Sequence, residues 1–219
     1  YKTCGVWNSA EEIAANPHFS DDAPGGIRIV DTNNDGSLTP EDRVALGTPY
    51  PDFTWGITNT FQIKDFDISF LIQGVQGITV LNGDVYYNET KKWNKKYTKN
   101  RWVSAEHPGD GKTPYQNVKT GHDLMLTDYP LQNASYACLR NFTVGYTLPA
   151  TAARKIKLSG VRFYVSGSNL FYIWGSGYKG INPESRMTSG DYSSAMISGY
   201  QRGGFPLTST ISAGFDINF

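Results

Sequence analysis

Apolar and polar residues alternate with period two along five stretches of the chain. In FTWGITNTF, residues 53–61, Phe53, Trp55, Ile57 and Phe61 share one side and Thr54, Gly56, Thr58 and Thr60 the other, with Asn59 interrupting the apolar side. In DFDISFLIQG, Phe66, Ile68, Phe70 and Ile72 alternate with Asp67, Ser69, Leu71 and Gln73. YACLRNFTVGYTLP sets Phe142, Val144, Tyr146 and Leu148 against Asn141, Thr143, Gly145 and Thr147, and VRFYVSGSN sets Val161, Phe163 and Val165 against Arg162, Tyr164 and Ser166. ISAGFDINF sets Ile211, Ala213, Phe215, Ile217 and Phe219 against Ser212, Gly214, Asp216 and Asn218. Successive side chains of a strand point to opposite faces, so the pattern predicts two-faced strands at about 51–62, 65–75, 135–148, 159–170 and 207–219. Two environments fit such strands: a soluble sandwich with one face in water, and a transmembrane barrel with one face on lipid and one on a wet lumen.

The connections separate them. A tight turn at Ile63–Asp65 follows the first strand and the short link PATAARKIKLSG follows the third, whereas 76–133 and 171–206 are long. Alternating short and long connections are the habit of outer-membrane barrels, with short periplasmic turns and long outer loops; a soluble sandwich keeps most connections short. The fold expected is all-β, the C-terminal antiparallel strands of a large transmembrane β-barrel with long extracellular loops 76–133 and 171–206. On this reading residues 51–219 form barrel strands and residues 1–50 an extracellular loop. Five strands are too few to close a barrel, which takes about eight, and open sheet edges are not viable in hydrocarbon. The chain is therefore expected to be part of a larger barrel or to assemble with the remainder.

Composition narrows the classes further. A formal net charge of +0 argues against a nucleic-acid binder. Only 39% of residues are hydrophobic, and no run approaches the roughly 18 apolar residues of a spanning helix. The 23 Gly, 14 Tyr, 11 Phe and 5 Trp favour strands and turns. Cys4 and Cys138 are far apart and form no CxxC pair, so two free thiols are expected over a bridge. The opening YKTCGVW carries no leader pattern and reads as the interior of something longer.

Two motifs carry more specific chemistry. Ser212, Gly214, Ile217 and Phe219 fit polar-x-Gly-x-x-apolar-x-aromatic, a pattern that resembles the insertion signal read by the barrel-assembly machinery; an ordinary last strand of a soluble sheet is the bland alternative. Upstream, residues 31–42 hold oxygen-bearing Asp31, Asn33, Asp35, Ser37 and Thr39, with Gly36 and a final Asp42. Oxygens at positions 1, 3 and 5, Gly at 6 and a carboxylate at 12 are the spacing of a calcium loop, so Ca2+ is the candidate ion. Asp42 stands where Glu is usual, Ile27 and Ile29 flank Arg28 in a strand-like way, and an Asx-rich turn without metal fits the same residues.

The series GGIRIVDTNNDGSLTPEDRVALGTPYPDFTWGITNTF, DFDISFLIQGVQG, SYACLRNFTVGYTLP, VRFYVSGSNLF and ISAGFDINF resembles the C-terminal end of SusC/RagA-like TonB-dependent transporters of Bacteroidota, as does EEIAANP near the start. The resemblance implies a large barrel with an N-terminal plug, energised by the TonB complex through a part missing here. It further implies a SusD-like surface lipoprotein as partner, oligosaccharide or peptide substrates, and an outer-membrane location. The apolar faces would then anchor the chain in outer-membrane lipid, and the inward Thr, Ser, Asn and Asp residues would line a wet interior. Two other classes compete: a secreted all-β calcium-loop glycan-binding module, and a dockerin-like partner module. Dockerins carry the loop twice and with helices, whereas it occurs once here.

The remaining features add little. KKWNKKYTKNRW, 91–102, mixes basic and aromatic residues but reads as a solvated loop in a chain of zero net charge. Trp93, Trp102, Tyr172, Trp174 and Tyr178 have the chemistry to stack on sugars, and loop packing explains each as well. Trp55, Phe66 and Tyr146 suit an interfacial aromatic girdle. His18, His107 and His122 share no metal spacing, and no nucleophile or carboxylate constellation points to an enzyme.

Overall fold

The computed structural model describes residues 1–85, 99–115, 126–185, 199–202 and 204–219. Its centre is a five-stranded antiparallel sheet of β3 (Phe53–Ile63), β4 (Phe66–Gln76), β7 (Tyr136–Thr147), β8 (Gly160–Trp174) and β10 (Thr210–Asn218), in the order β10-β8-β7-β4-β3. The strands are 11, 11, 12, 15 and 9 residues long, the length that tilted strands need to cross a bilayer core. The tight turn after β3 works because Lys64 adopts a left-handed φ of 54°. The β7–β8 link holds a short helix, Ala150–Lys155. Both lie at one end of the sheet, the turn end; the long connections leave from the other, the loop end.

Register turns five alternating sequences into two continuous faces. Ile57 pairs with Ile72 and Phe61 with Ile68; Phe66 pairs with Tyr146 and Val144 with Val165, which in turn pairs with Ala213. One face is therefore apolar from edge to edge. Its side chains stay uncovered: Phe163 is 51% exposed, Phe215 64% and Ile211 74%. Chains that live in water rarely expose an apolar patch beyond about 300–600 Å². Leaving such a wall bare in water opposes folding; lipid removes the cost.

The buried core sits elsewhere. Val75, Tyr136 and Cys138 lie on the opposite face at the loop end and pack with Ile78, Val80, Ala134 and Tyr178. The last four come from the long connections. Those connections hold β5 (Thr79–Asn82), β6 (Leu131–Asn133) and β9 (Tyr200–Gln201), which form a second sheet in the order β6-β5-β9. Leu81 pairs in parallel with Tyr200, so the two connections hold each other. This corrects the expectation of two irregular loops. Strands of two to four residues are too short to show a period in sequence. The polar face turns apolar where this cap packs on it.

Residues 1–50 are likewise more ordered than a bare loop. β1 (Thr3–Val6) pairs with β2 (Ile27–Ile29) around a fully buried Trp7. Arg28 lies 4.8 Å over the Trp7 ring and bonds Glu12 of helix α1 (Ala10–Ala14). Ser9 starts that helix by accepting the Glu12 N–H. Thr3 docks this unit on Asp128, its hydroxyl 2.6 Å from the carboxylate.

Candidate functional site

The polar face of the main sheet is the candidate site, and glycines shape it. Arg162 of β8 reaches across β7 to Asp67 of β4, donating from Nη2 at 2.6 Å and from Nε at 3.0 Å. Gly145 of β7 lies between them; a Cβ there would stand 2.3 Å from Asp67 Oδ1 and 2.5 Å from Arg162 Nη2. Arg162 also lies 3.4 Å from Asp216 of β10. One guanidinium thus ties together the outer strands of a four-strand span at the turn end. Gly214 gives similar room to Tyr164, whose hydroxyl oxygen lies 2.5 Å from where a Cβ would be. The period-two pattern places all of these on one face, but the ion pairs depend on register and on a missing side chain, so sequence reasoning missed them. Gly145 stands between the two charges only through the register of three strands, which the sequence does not show.

At the loop end a second polar cluster surrounds Arg140, which contacts Gln73, Asn169, Tyr172 and Glu184. On the apolar face the girdle residues Phe66 and Tyr146 lie 4.8 Å apart between ring centroids. Trp55 covers Gly74, whose Cβ position falls 2.2 Å from the indole, so a glycine again makes the space an aromatic fills.

The acidic loop is shaped by backbone N–H donors. Asp31 accepts from Asn34 at 2.7 Å and Gly36 at 2.9 Å; Asn33 accepts from Asp35 at 3.0 Å; Asp35 accepts from Ser37 at 2.8 Å. Asn34 and Gly36 take φ of 59° and 85° to make the turn. Thr39 caps the following 3-10 turn Pro40–Asp42, and Asp42, fully buried, completes the capping box. The Asp42 oxygens accept the N–H groups of Thr39 and Thr32, each at 2.8 Å. The Thr39 N–H foremost, helped by those of Thr32 and Asn33, holds this carboxyl below the ordinary aspartate range. The six candidate ligands share a loop, but the fit as drawn is to N–H donors. Among the described residues no three His, Cys, Asp or Glu side chains gather closely enough to hold a metal ion.

Of the terminal-strand residues, Ser212 pairs with Ser166, Gly214 with Tyr164 and Ile217 with Val161; Phe219, just past β10, is 93% exposed. Trp102 and Tyr178 are buried packing residues, the Trp102 indole N–H donating to Asn8 at 3.0 Å. Cys4 and Cys138 are free thiols. Trp93, His122 and most of 91–102 lie outside the described residues.

Comparison with known proteins fits this geometry. TonB-dependent receptor P26 of Formosa agariphila is 29% identical across 100% of this chain and 22% of its own length, and receptor P3 of the same organism is 30% identical over the same shares. TonB-dependent receptor SusC of Bacteroides thetaiotaomicron is 26% identical over 87% of the chain and 17% of its own length. Along its whole length this chain resembles a segment of SusC/RagA-like TonB-dependent receptors. It spans about a fifth of the length of these relatives. The RagAB peptide importer, solved in an open-open state, shares this fold with a TM-score of 0.67 over 100% of the chain, 22% of the importer chain and 16% identity; the closed-closed state gives 0.66. The chain is thus all-β and part of an outer-membrane barrel. No protein-family model matches it.

Proposed function

We propose that the chain is the C-terminal part of an outer-membrane nutrient transporter, a multi-pass barrel wall that binds and passes substrate without bond chemistry. The observation that carries this is the sheet of membrane-length strands with one uncovered apolar face and one ion-paired polar face. In this reading the apolar face meets lipid, the polar face lines the interior, and the turn end faces the periplasm. The cap of β5, β6 and β9 then narrows the outer mouth. Oligosaccharides or peptides are the proposed cargo, a SusD-like lipoprotein the surface partner, and the TonB complex the energy source through a region outside this chain; the likeness to SusC and to the RagAB importer supports this. Ser212, Gly214, Ile217 and Phe219 are proposed as the insertion signal. Ca2+ at Asp31, Asn33, Asp35, Ser37, Thr39 and Asp42 is proposed on the spacing of the loop.

Membrane fractionation with intact mass of the native protein tests the main reading. Recovery from detergent-extracted outer membrane, in a polypeptide or complex several times heavier than 24.3 kDa, is the expected outcome. A freely soluble, monodisperse 24.3 kDa species overturns it and leaves the secreted calcium-loop glycan-binding module.

A further inference from the structure

Arg140 sits where the regular sheet breaks. The β7–β8 register shifts between Leu139 and Asn141, β4 shifts against β7 between Leu71 and Ile72, and Asn169 on β8 takes φ 55°. The irregularity puts Arg140 on the polar side together with its neighbour Asn141, and bulges commonly re-aim a side chain for use. Its guanidinium is then held in place by the sheet. Nε donates to Gln73 at 3.2 Å and Nη1 to Asn169 at 2.8 Å and to the Tyr172 hydroxyl at 3.0 Å. What remains facing away from the strands is a pair of donors suited to one carboxylate: Nη2 and the Tyr172 O–H.

That position is filled by Glu184. Its Oε1 accepts from Arg140 Nη2 and from the Tyr172 hydroxyl at 3.1 Å, and its Oε2 lies 3.4 Å from Nη1. The two sides differ in origin. Arg140 and Tyr172 stand on strands β7 and β8, whereas Glu184 arrives on the connection that follows β8. A wide-open surface cavity of about 500 Å³ lies on the Tyr172 side of the cluster, lined among others by Asn169, Tyr172, Trp174 and Ile181 but not by Arg140 or Glu184. Asn169 and Tyr172 belong both to the cavity wall and to the Arg140 cluster. β8 outruns β10 here, since β10 pairing stops at Ser168.

We propose that Arg140 and Tyr172 form a binding site for a carboxylate-bearing ligand, entered from this cavity and filled in the present conformation by Glu184 as an internal competitor. The inference rests on the polar face being the transporter's inner wall. Exchanging one carboxylate for another conserves the charge-assisted hydrogen bonds, so entry costs little beyond freeing the loop. Glu184, tethered close by, competes at high effective concentration and masks the site. A purely structural ion pair gives no reason for a ligand to gain when Glu184 loses its charge.

The test uses the whole receptor purified in detergent, its barrel first shown to be folded by heat-modifiable migration. Calorimetry compares tri-galacturonate, a tetraglutamate peptide and neutral galactotriose. Glu184→Gln keeps the shape and removes the competing charge. It should tighten binding of an acidic probe by about tenfold, the equivalent of about 1.4 kcal/mol, and leave the neutral probe unchanged. Tyr172→Phe added to it should give back part of that gain. The double variant Arg140→Gln, Glu184→Gln replaces the ion pair by a neutral one, so it should fold and lose the acidic probe. A gain for only one acidic probe assigns the carboxylate to that source, sugar or peptide. If Glu184→Gln binds neither acidic probe more tightly, or if the double variant binds them as well as Glu184→Gln alone, the site does not exist. Failure of the transporter reading registers separately, in the fractionation, which does not depend on Arg140.

Discussion

At the residue scale, the polar wall is built around an absence. Gly145 lets Arg162 and Asp67 meet across a strand. In Gly145→Ala the new methyl overlaps both partners, and the pair must part or the strands must shift. Both contacts are the ends of part-exposed side chains, so the cost is that of losing the ion pair, about 0–1 kcal/mol. The heat-modifiable barrel of Gly145→Ala should unfold at a lower temperature than wild type, and Thr143→Ala on the same strand should change it less. Asp42 is a second residue with a measurable signature. Its carboxyl titrates below the ordinary aspartate range because N–H groups, that of Thr39 first, hold the charged form. A depressed folded value contributes stability above the unfolded value, about 4, and loses it as pH falls through the folded one. The melting temperature of residues 1–50 should therefore fall on acidification, and Asp42→Asn should flatten that acid limb. Added Ca2+ separates the proposed metal from the cap. A melting temperature that rises with Ca2+ supports a bound ion, and none should appear in Asp31→Asn.

At the scale of the element, every central strand has two faces with different solvents, and substitutions should read them. Val165 is 52% exposed on the apolar face and Ser166, next to it, looks the other way. Arginine at a lipid-facing midplane position costs about 2–4 kcal/mol. Val165→Arg should cut the yield of folded barrel in the membrane, and Ser166→Arg should alter passage while leaving yield closer to wild type. Equal losses from both would contradict the two-solvent assignment. The terminal strand makes a related prediction: Phe219→Ala should slow the appearance of heat-modifiable barrel in cells while leaving the strand pairing of β10 with β8 intact in what does assemble. Assembly at the wild-type rate would remove Phe219 from the insertion signal.

At the scale of the whole molecule, the five-stranded sheet leaves β3 and β10 each with one edge that no described strand covers. Both long connections turn back together as one cap on the polar face, tied by β5 and β9. The cap is thus formed by pairing between segments far apart in sequence, with the Arg140 cluster beneath it, and on the proposed transporter reading it is the outer mouth. Substrate moving along this wall would meet the cap first, then Arg140, and then the Asp67–Arg162–Asp216 line near the turn end.

What the sequence determined by itself is what repeats locally. Strand positions, the two faces and the alternation of short and long connections are legible because side-chain direction has a period of two. Likeness to SusC is legible because the similarity runs through most of the chain. Tertiary structure alone decided what depends on partners distant in the chain. The cap was invisible because TVLN, LQN and YQ are too short to show a period and are held by each other. The ion pairs were invisible because Asp67 meets Arg162, and Arg140 meets Glu184, only once register, bulges and a glycine set their distances. The acidic loop shows both halves of the rule. Its spacing fixed a tight turn of oxygen-bearing residues, but where each oxygen points was settled by the N–H groups of the folded backbone, which drew Asp42 inward as a cap.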